Sequence, residues 1–308
     1  QLLLISFQGF RWDIRNMHTP NLDRLAREGV KAQYLMPPLV TMTSPSHFTA
    51  IPGHWVRAHG VIHNMMFNTE TLWNYSFKTT QKKTQNGPDG IFFSYLQGNK
   101  AASFHYSKGG AKFEGEAVKR SLVESYTHPN SNETERRENV DTVMNWFTKE
   151  DFDFVTLCYR EPDNVGHRFG PEAENRKLMI QQIGRTIGYL VGATEKHSLQ
   201  STSASSSHDH GVTTVKKRPN VNKILSNYIK FRDLVKFDIV GYVGFGKPLP
   251  KWGQEEALYQ ALKNAYPHLH VYKKEEFPEH FHLTKHDRVL PIVMYANSGY
   301  TINGVSSF

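Results

Sequence analysis

Continuous apolar runs alternate along the chain with segments in which apolar residues recur every three or four positions. The runs at 2–7 (LLLISF) and 153–159 (DFVTLCY) are apolar at nearly every position, which is typical of strands buried on both faces of a parallel sheet. Helical spacing follows the first run, where Thr19 precedes Pro20 and Gly29 ends the pattern. We therefore predict a strand, a helix and a second strand in this order.

Two longer helical patterns extend this alternation. One places Val140, Val143, Met144 and Phe147 on one helical face, and the other runs from about 172 to 196. Alternating strands and helices predict an α/β fold with a parallel sheet flanked by helices. In such sheets ligands bind at the carboxyl ends of the strands.

The pattern changes in two places. Beyond residue 215 the apolar runs become shorter and are interrupted by Gly and Pro around one helical segment, so we predict an α/β core at 1–215 and an inserted α+β subdomain at 216–308. The segment 198–211 (SLQSTSASSSHDHG) stands where the alternation requires a buried strand. It is almost wholly polar, so its composition predicts a loop.

Composition narrows the class of protein. The chain has 308 residues and a net charge of +8, and it contains no run of about 18 apolar residues that could span a membrane. The basic residues are scattered, so the charge favours anionic partners without indicating a nucleic-acid groove. Cys158 is the only cysteine, which excludes an internal disulfide. The sequons at Asn74 and Asn132 are compatible with secretion and glycosylation.

Two Asp–His combinations follow strand positions. Asp163 and His167 are four residues apart after the run at 153–159, and Asp209 directly precedes His210 in a Gly-containing segment. Carboxylates and imidazoles are ligands that zinc accepts. Each His alone is more often a surface or hydrogen-bonded residue, but together these residues predict a two-zinc site.

The stretch 40–48, VTMTSPSHF, combines hydroxyl groups with a predicted helix start at Pro45. In one interpretation Thr43 is an ordinary N-cap. In the other it is a nucleophile, because a helix N-terminus favours a bound phosphate and a zinc ion lowers the pKa of a coordinated hydroxyl. Asn64 follows soon after and could donate its amide to a phosphate oxygen.

Over nearly its whole length the chain resembles the ectonucleotide pyrophosphatase/phosphodiesterase family of the alkaline phosphatase superfamily, most closely its alkaline sphingomyelin phosphodiesterase branch. The matching segments occur in family order: LLLISFQGFRWD, TPNLDRLAREGVKAQYLMP, VTMTSPSHFTAIPG, AHGVIHN, NVDTVMNWF, EPDNVGHRFGP, DHGVTTV and LHVYKKEEFPE. The resemblance implies an alkaline-phosphatase-like fold and a phospholipase C-type cleavage of sphingomyelin or choline lysophospholipids.

The resemblance also implies roles for individual residues. Two zinc ions are expected: Thr43, Asp209 and His210 would bind one, and Asp163 and His167 would bind the other. Thr43 would be the nucleophile and would form a phospho-threonine intermediate. Asn64 would bind the phosphate. A disfavoured alternative is a sulfatase or phosphomutase relative, because TSPSH lacks the arginine of the sulfatase motif.

Three features depart from the family pattern. Gln8 stands where the family has a metal-binding Asp, the serine run replaces an apolar strand, and the chain ends at Phe308, before the segment that holds the last ligand His. The C-terminal part of the family fold is therefore expected to be missing. Two interpretations stay open: a catalytically impaired relative that binds a phospholipid or other anionic ligand, or a sequence that is incomplete or locally altered.

Further expectations concern surroundings and partners. The resemblance and the sequons imply an extracellular or cell-surface protein, with any anchor outside this chain. We expect a choline phospholipid or another phosphodiester as substrate, possible contact with a membrane surface, no specific nucleic-acid partner, and a monomer.

Overall fold

The computed structural model describes twelve stretches of the chain, and all structural statements below concern them: 1–13, 17–51, 53–64, 66–67, 74–75, 99–106, 109–110, 117–124, 132–199, 202–216, 231–239 and 244–302. The chain divides into two compact units. The first comprises 1–37, 41–54 and 77–212, and the second comprises 38–40, 55–76 and 213–308.

The first unit is built on a five-stranded sheet in which all neighbouring strands are parallel. Its strands are β1 Leu2–Phe7, β4 Ala101–Phe104, β5 Arg120–Leu122, β6 Phe154–Tyr159 and β7 Ser203–Ser207. They lie in the order β5-β4-β6-β1-β7. Strands β1 and β6 coincide with the two apolar runs of the sequence, and β6 is buried at every position. The predicted parallel α/β sheet is confirmed.

Strand β7 corrects the loop predicted for its segment. Its backbone pairs with β1, from Leu2 opposite Ser203 to Ser6 opposite Ser207. The side chains of 203–206 are exposed. Main-chain hydrogen bonds hold a strand whatever its side chains are, and exposed serines carry no desolvation cost, so the polar composition is tolerated.

Helices surround this sheet. They are α1 Pro20–Glu28, α2 Thr43–Ala50, α4 Glu133–Lys149, α5 Asp163–Phe169 and α6 Glu174–Lys196. Helix α1 begins at Pro20 after Thr19 and ends before Gly29, as predicted. Helix α4 buries Val140, Val143, Met144 and Phe147, and these side chains join strands β1 and β6 in one apolar core.

The elements of the second unit are α3 Val56–His59, β2 Met66–Phe67, β3 Asn74–Tyr75, α7 Phe231–Leu234, β8 Val235–Ile239, β9 Phe245–Pro250, α8 Glu255–Lys263, β10 Leu269–Lys273 and β11 Ile292–Ala296. Four of these strands form an antiparallel sheet in the order β10-β11-β9-β8. Helix α8 packs Leu258 and Leu262 against Ile292 and Met294 of the sheet. Among the described residues of both units, no helix has the length and apolar character needed to cross a membrane.

Candidate active site

Three neighbouring strands bring the predicted site residues together at one edge of the first sheet. Strand β1 is followed by Gln8 and Gly9, β6 by Asp163 at the start of α5, and β7 by Asp209 and His210. Because the three strands are parallel and adjacent, their carboxyl ends meet at the same edge. This order explains why residues 200 positions apart contact each other.

Asp209 is held in place by backbone N–H groups. Its Oδ1 accepts hydrogen bonds from Gly9 N at 2.9 Å and from His210 N at 2.8 Å. Its Oδ2 is buried and accepts no hydrogen bond within the described part of the chain. The carboxylate is thus fixed through one oxygen and presents the other to the site.

His210 faces this second oxygen. The Nδ1–H of His210 donates to the carbonyl of Gly211 at 2.9 Å, which leaves the Nε2 lone pair free to bind another group. This Nε2 lies 3.3 Å from Asp209 Oδ2 and 3.3 Å from Thr43 Oγ1. We call Thr43, Asp209 and His210 the Thr43 cluster.

The Thr43 cluster has the donor set of a cation site. A carboxylate oxygen and an imidazole lone pair repel each other at 3.3 Å unless a proton or a metal ion lies between them. One nitrogen and two oxygens are ligands that zinc binds. These three residues therefore fit a zinc ion, although no group of three or more His, Cys, Asp or Glu side chains with this capacity occurs in the described stretches.

Thr43 is the first residue of α2, and the extended residue Met42 occupies the N-cap position. The interpretation of Thr43 as an N-cap is wrong, because its hydroxyl faces His210 Nε2 and does not cap the helix. The residue nevertheless lies at the positive end of the helix dipole, which favours a developing negative charge there.

Asp163 and His167 form a second combination, which we call the Asp163 pair. They are one turn apart on α5, with His167 Nε2 3.3 Å from Asp163 Oδ2, and the hydrogen bond to this carboxylate raises the pKa of His167. Asp163 Oδ1 is buried without a hydrogen-bond partner in the described residues. Because this oxygen is unsatisfied, the pair fits two ligands of a second metal ion.

Gln8 departs from this pattern of charged ligands. Its backbone carbonyl accepts a hydrogen bond from Asp163 N at 2.9 Å, so it helps to position the Asp163 pair. Its side-chain Nε2, however, donates to Cys158 Sγ at 3.4 Å. A neutral amide in this place gives the Thr43 cluster no second negative charge.

Three other predicted residues follow in other segments of the chain. Asn64 is half-buried in the second unit, and its role in phosphate binding stays a prediction. Asn132 is the N-cap of α4 and accepts a hydrogen bond from Glu135 N at 2.9 Å. Asn74 is the first residue of β3, and its side chain lies outside the described residues. Glycosylation of Asn74 and Asn132 also stays a prediction.

Sequence reasoning missed His47, although it lies next to the site. It is one helical turn after Thr43 on α2, and its ring is 1% exposed. Burial lowers the pKa of His47, and Nδ1 lies 3.9 Å from Asp209 Oδ2. The four-residue spacing from Thr43 was the available signal, since it places both residues on one face of a helix.

Comparisons with known proteins confirm the family that the sequence resembles. The family described as "Type I phosphodiesterase / nucleotide pyrophosphatase" matches residues 2–306. The human protein ectonucleotide pyrophosphatase/phosphodiesterase family member 7 is 46% identical over 312 residues, which cover 99% of this chain and 68% of the relative. The mouse protein of the same name is 44% identical over 314 residues, covering 99% and 71%.

A solved structure extends the agreement to the fold. The murine ectonucleotide pyrophosphatase/phosphodiesterase 5 superposes with a TM-score of 0.86 at 26% identity, covering 100% of this chain and 81% of the murine one. The fold is therefore alkaline-phosphatase-like. With a family match over almost the whole sequence and a relative that is 46% identical, the chain belongs to the ectonucleotide pyrophosphatase/phosphodiesterase family and is a phosphoric diester hydrolase of the sphingomyelin phosphodiesterase-like branch.

Proposed function

We propose that the chain is a zinc-dependent phosphodiesterase of the phospholipase C type, which hydrolyses sphingomyelin or choline lysophospholipids through a phospho-threonine intermediate on Thr43. The observation that carries the proposal is the Thr43 cluster. There a hydroxyl at a helix N-terminus lies 3.3 Å from an imidazole lone pair, which in turn lies 3.3 Å from an unsatisfied carboxylate oxygen. Side chains arranged in this way can bind a cation beside a hydroxyl nucleophile.

The two steps of the reaction use Thr43 twice. The Thr43 hydroxyl loses its proton to solvent and its oxygen attacks the phosphorus, the bond from phosphorus to the lipid alcohol oxygen breaks, and the departing alkoxide takes up a proton from solvent. Phosphocholine then remains bonded to Thr43. Water then attacks the phosphorus, the bond from phosphorus to the Thr43 oxygen breaks, phosphocholine leaves, and the Thr43 oxygen takes up the proton that the attacking water releases.

The remaining residues bind the metal ions and the substrate and orient the groups that react. Two zinc ions, one at the Thr43 cluster and one at the Asp163 pair, would supply the Lewis acid that lowers the pKa of the Thr43 hydroxyl and offsets the phosphate charge. The backbone N–H groups of Gly9 and His210 hold the Asp209 carboxylate in one orientation. The dipole of α2 favours the anionic phosphate next to Thr43. Asn64 would donate its amide to a phosphate oxygen, and aromatic side chains would hold the choline group by cation–π contact.

A catalytically impaired relative that binds a phospholipid or another anionic ligand is the second candidate. One observation favours it: Gln8 supplies no charge, and its amide donates to Cys158. A zinc site with one carboxylate binds the ion less tightly than a site with two, because each negative charge adds to the attraction.

The test combines metal analysis with product identification. The purified chain should contain about two zinc ions and release phosphocholine, not choline, from sphingomyelin. The Thr43→Ala variant should bind substrate without turnover, whereas Thr43→Ser should retain part of the activity because it keeps a hydroxyl nucleophile. Zinc-free protein, or activity that survives in Thr43→Ala, would refute the proposal. Zinc-loaded protein that binds phospholipid without turnover would favour the impaired relative.

We infer that the protein acts outside the cell or at its surface, as a monomer, where the sequons at Asn74 and Asn132 would carry glycans. The proposed substrate is a lipid, so the site would meet it at a membrane or micelle surface. Digestion of the secreted protein with an N-glycosidase should lower its apparent mass; an unchanged mass would contradict glycosylation.

A further inference from the structure

His47 is in contact with two strands of the first sheet and with a residue just beyond a third. Its Nε2 lies 2.9 Å from Ser6 Oγ on β1 and 3.7 Å from Cys158 Sγ on β6. Tyr106, just beyond β4, packs edge-on against its ring at 4.5 Å between centroids and donates its hydroxyl to the His47 carbonyl at 3.5 Å. One imidazole thus connects α2 to the neighbouring strands β6 and β1 and to the segment that follows β4.

The hydrogen bonds of His47 fix its tautomer. Nδ1 lies 2.7 Å from the backbone carbonyl of Thr43, and a carbonyl can only accept, so Nδ1 carries the proton. Nε2 is then an acceptor and receives the hydrogen bond from the Ser6 hydroxyl. Both ring nitrogens are satisfied by a neutral imidazole, one on the helix and one on the sheet.

The bond to Thr43 links this contact to the reaction. The carbonyl that His47 holds belongs to the residue whose hydroxyl faces His210. We propose that His47 is a positioning residue. It fixes where the first turn of α2 lies against the sheet and how that turn is rotated, and so directs the Thr43 hydroxyl towards His210. This inference rests on the proposed function, because it assigns His47 a task in the use of Thr43 as nucleophile.

An ordinary buried histidine would also contact its neighbours, but it would not need both nitrogens in these particular roles. An aromatic ring without nitrogen atoms would preserve the packing on Tyr106, but it would remove the acceptor of the Ser6 hydroxyl and the side-chain donor to the Thr43 carbonyl. A positioning histidine and an ordinary buried histidine therefore differ in which substitutions at position 47 retain activity.

The experiment compares three substitutions of similar size. His47→Phe keeps a ring but makes neither hydrogen bond, His47→Asn can place an amide donor at the Nδ1 position, and His47→Gln can place one near the Nε2 position. We expect the phosphocholine release rate kcat to fall about 100-fold in His47→Phe with little change in KM, since displacement of a reacting group costs about this much. His47→Asn should regain about 10-fold of that loss, and His47→Gln should not.

A structural control separates positioning from stability. Phe48 is the next residue of α2 and is 1% exposed in the core. Phe48→Leu should lower the melting temperature while kcat per folded molecule stays unchanged. If kcat follows the folded fraction in all variants, or if Asn and Gln behave alike, the inference is wrong.

A spectroscopic measurement decides the inference without catalysis. Nitrogen-15 NMR of the His47 ring at neutral pH should show a protonated Nδ1 and an unprotonated Nε2. The opposite tautomer would overturn the inference even in an active enzyme. If the wild-type protein shows no turnover, the proposed function fails, whereas the opposite tautomer in an active enzyme contradicts the positioning role of His47 alone.

Discussion

Gly9 lies against both carboxylates of the candidate site. Its N–H donates a hydrogen bond to Asp209, and its lack of a side chain leaves room for Asp163. The distance from Gly9 N to Asp209 Oδ1 is 2.9 Å. A Cβ atom at Gly9 would lie 2.8 Å from the Cα, Cβ and Oδ1 atoms of Asp163. With a φ of +69°, Gly9 is also in the left-handed region that other residues rarely adopt. The turn after β1 therefore sets the approach of Asp163 to Asp209.

The Gly9→Ala substitution should weaken zinc binding about 10- to 100-fold, because the added methyl group displaces Asp163. Gly53→Ala is the matched control, since Gly53 has a φ of +67° but no atom within 4 Å of the added Cβ. Both variants should lose roughly 1–2 kcal/mol of stability from the backbone conformation alone. Calorimetric zinc titration distinguishes them, and equal affinities would show that the approach of Asp163 is unimportant.

The Gln8→Asp substitution should strengthen zinc binding about 10- to 100-fold by adding a negative charge next to the Thr43 cluster. Gln8→Asn has nearly the shape of Asp without its charge and serves as control. Both variants shorten the side chain that donates to Cys158. Competition with a chelator of known affinity measures the effect. If Asn and Asp change the affinity equally, charge at position 8 is not the cause.

Lys247 should make the stability of the protein depend on pH. The residue lies on β9 and is 1% exposed, and burial lowers the pKa of its amine to about 7. The unfolded chain, with a lysine pKa of about 10.4, binds more protons between these values, so the free energy of unfolding should rise from pH 7 to 10. Below pH 7 the contribution is constant and unfavourable.

Replacement of Lys247 by Met should therefore stabilise the protein by up to about 4 kcal/mol at pH 7 and by progressively less towards pH 10. Lys251→Met is the control, because Lys251 is exposed in the same region. Urea unfolding at several pH values provides the measurement. Parallel pH profiles for both variants would mean that the Lys247 amine is not buried as described.

Arg136 should be required for the stability of the first unit. Its guanidinium is fully buried and donates to Gln182 Oε1 at 2.8 Å and to Thr186 Oγ1 at 3.3 Å on α6. Burial lowers the pKa of Arg136, and the buried carboxylate of Glu161 counteracts this effect. Arg136→Met should destabilise the unit by roughly 3–5 kcal/mol, since it removes the buried donor to α6 and a positive charge that attracts Glu161.

The double variant with Glu161→Gln should recover part of this loss, because the negative charge that Arg136 attracts is then removed as well. Thermal unfolding followed by circular dichroism measures both. Additive losses in the double variant would show that Arg136 and Glu161 are not coupled.

The sequence predicts those elements that leave a trace in composition or spacing. Strands β1 and β6 follow from continuous apolar runs, helix α4 follows from the apolar spacing of its buried face, and helix α1 follows from the residues at its two ends. Strand β7 could not be predicted in the same way, since it is held by main-chain pairing with β1 and its serines are exposed. Composition records burial and says little about backbone hydrogen bonds.

The candidate site shows the same limit. Asp163, His167, Asp209 and His210 could be proposed from residue type, and adjacent parallel strands explain why they meet. The contacts of His47 with Ser6 and Thr43 depend on how α2 lies against the sheet, which no local pattern encodes. The direction of the Gln8 amide likewise depends on Cys158, which lies on the neighbouring strand β6.

The exposed serines of β7 affect the order in which the strands of the sheet unfold locally. Strand β7 is the last strand of its sheet, and its exposed side chains contribute almost no apolar burial, so its amide protons should exchange with solvent earlier than those of β6. Since β7 leads directly into Asp209 and His210, an ion that binds there would also slow this exchange. Amide exchange in β7 would thus report whether a metal ion is bound at Asp209 and His210.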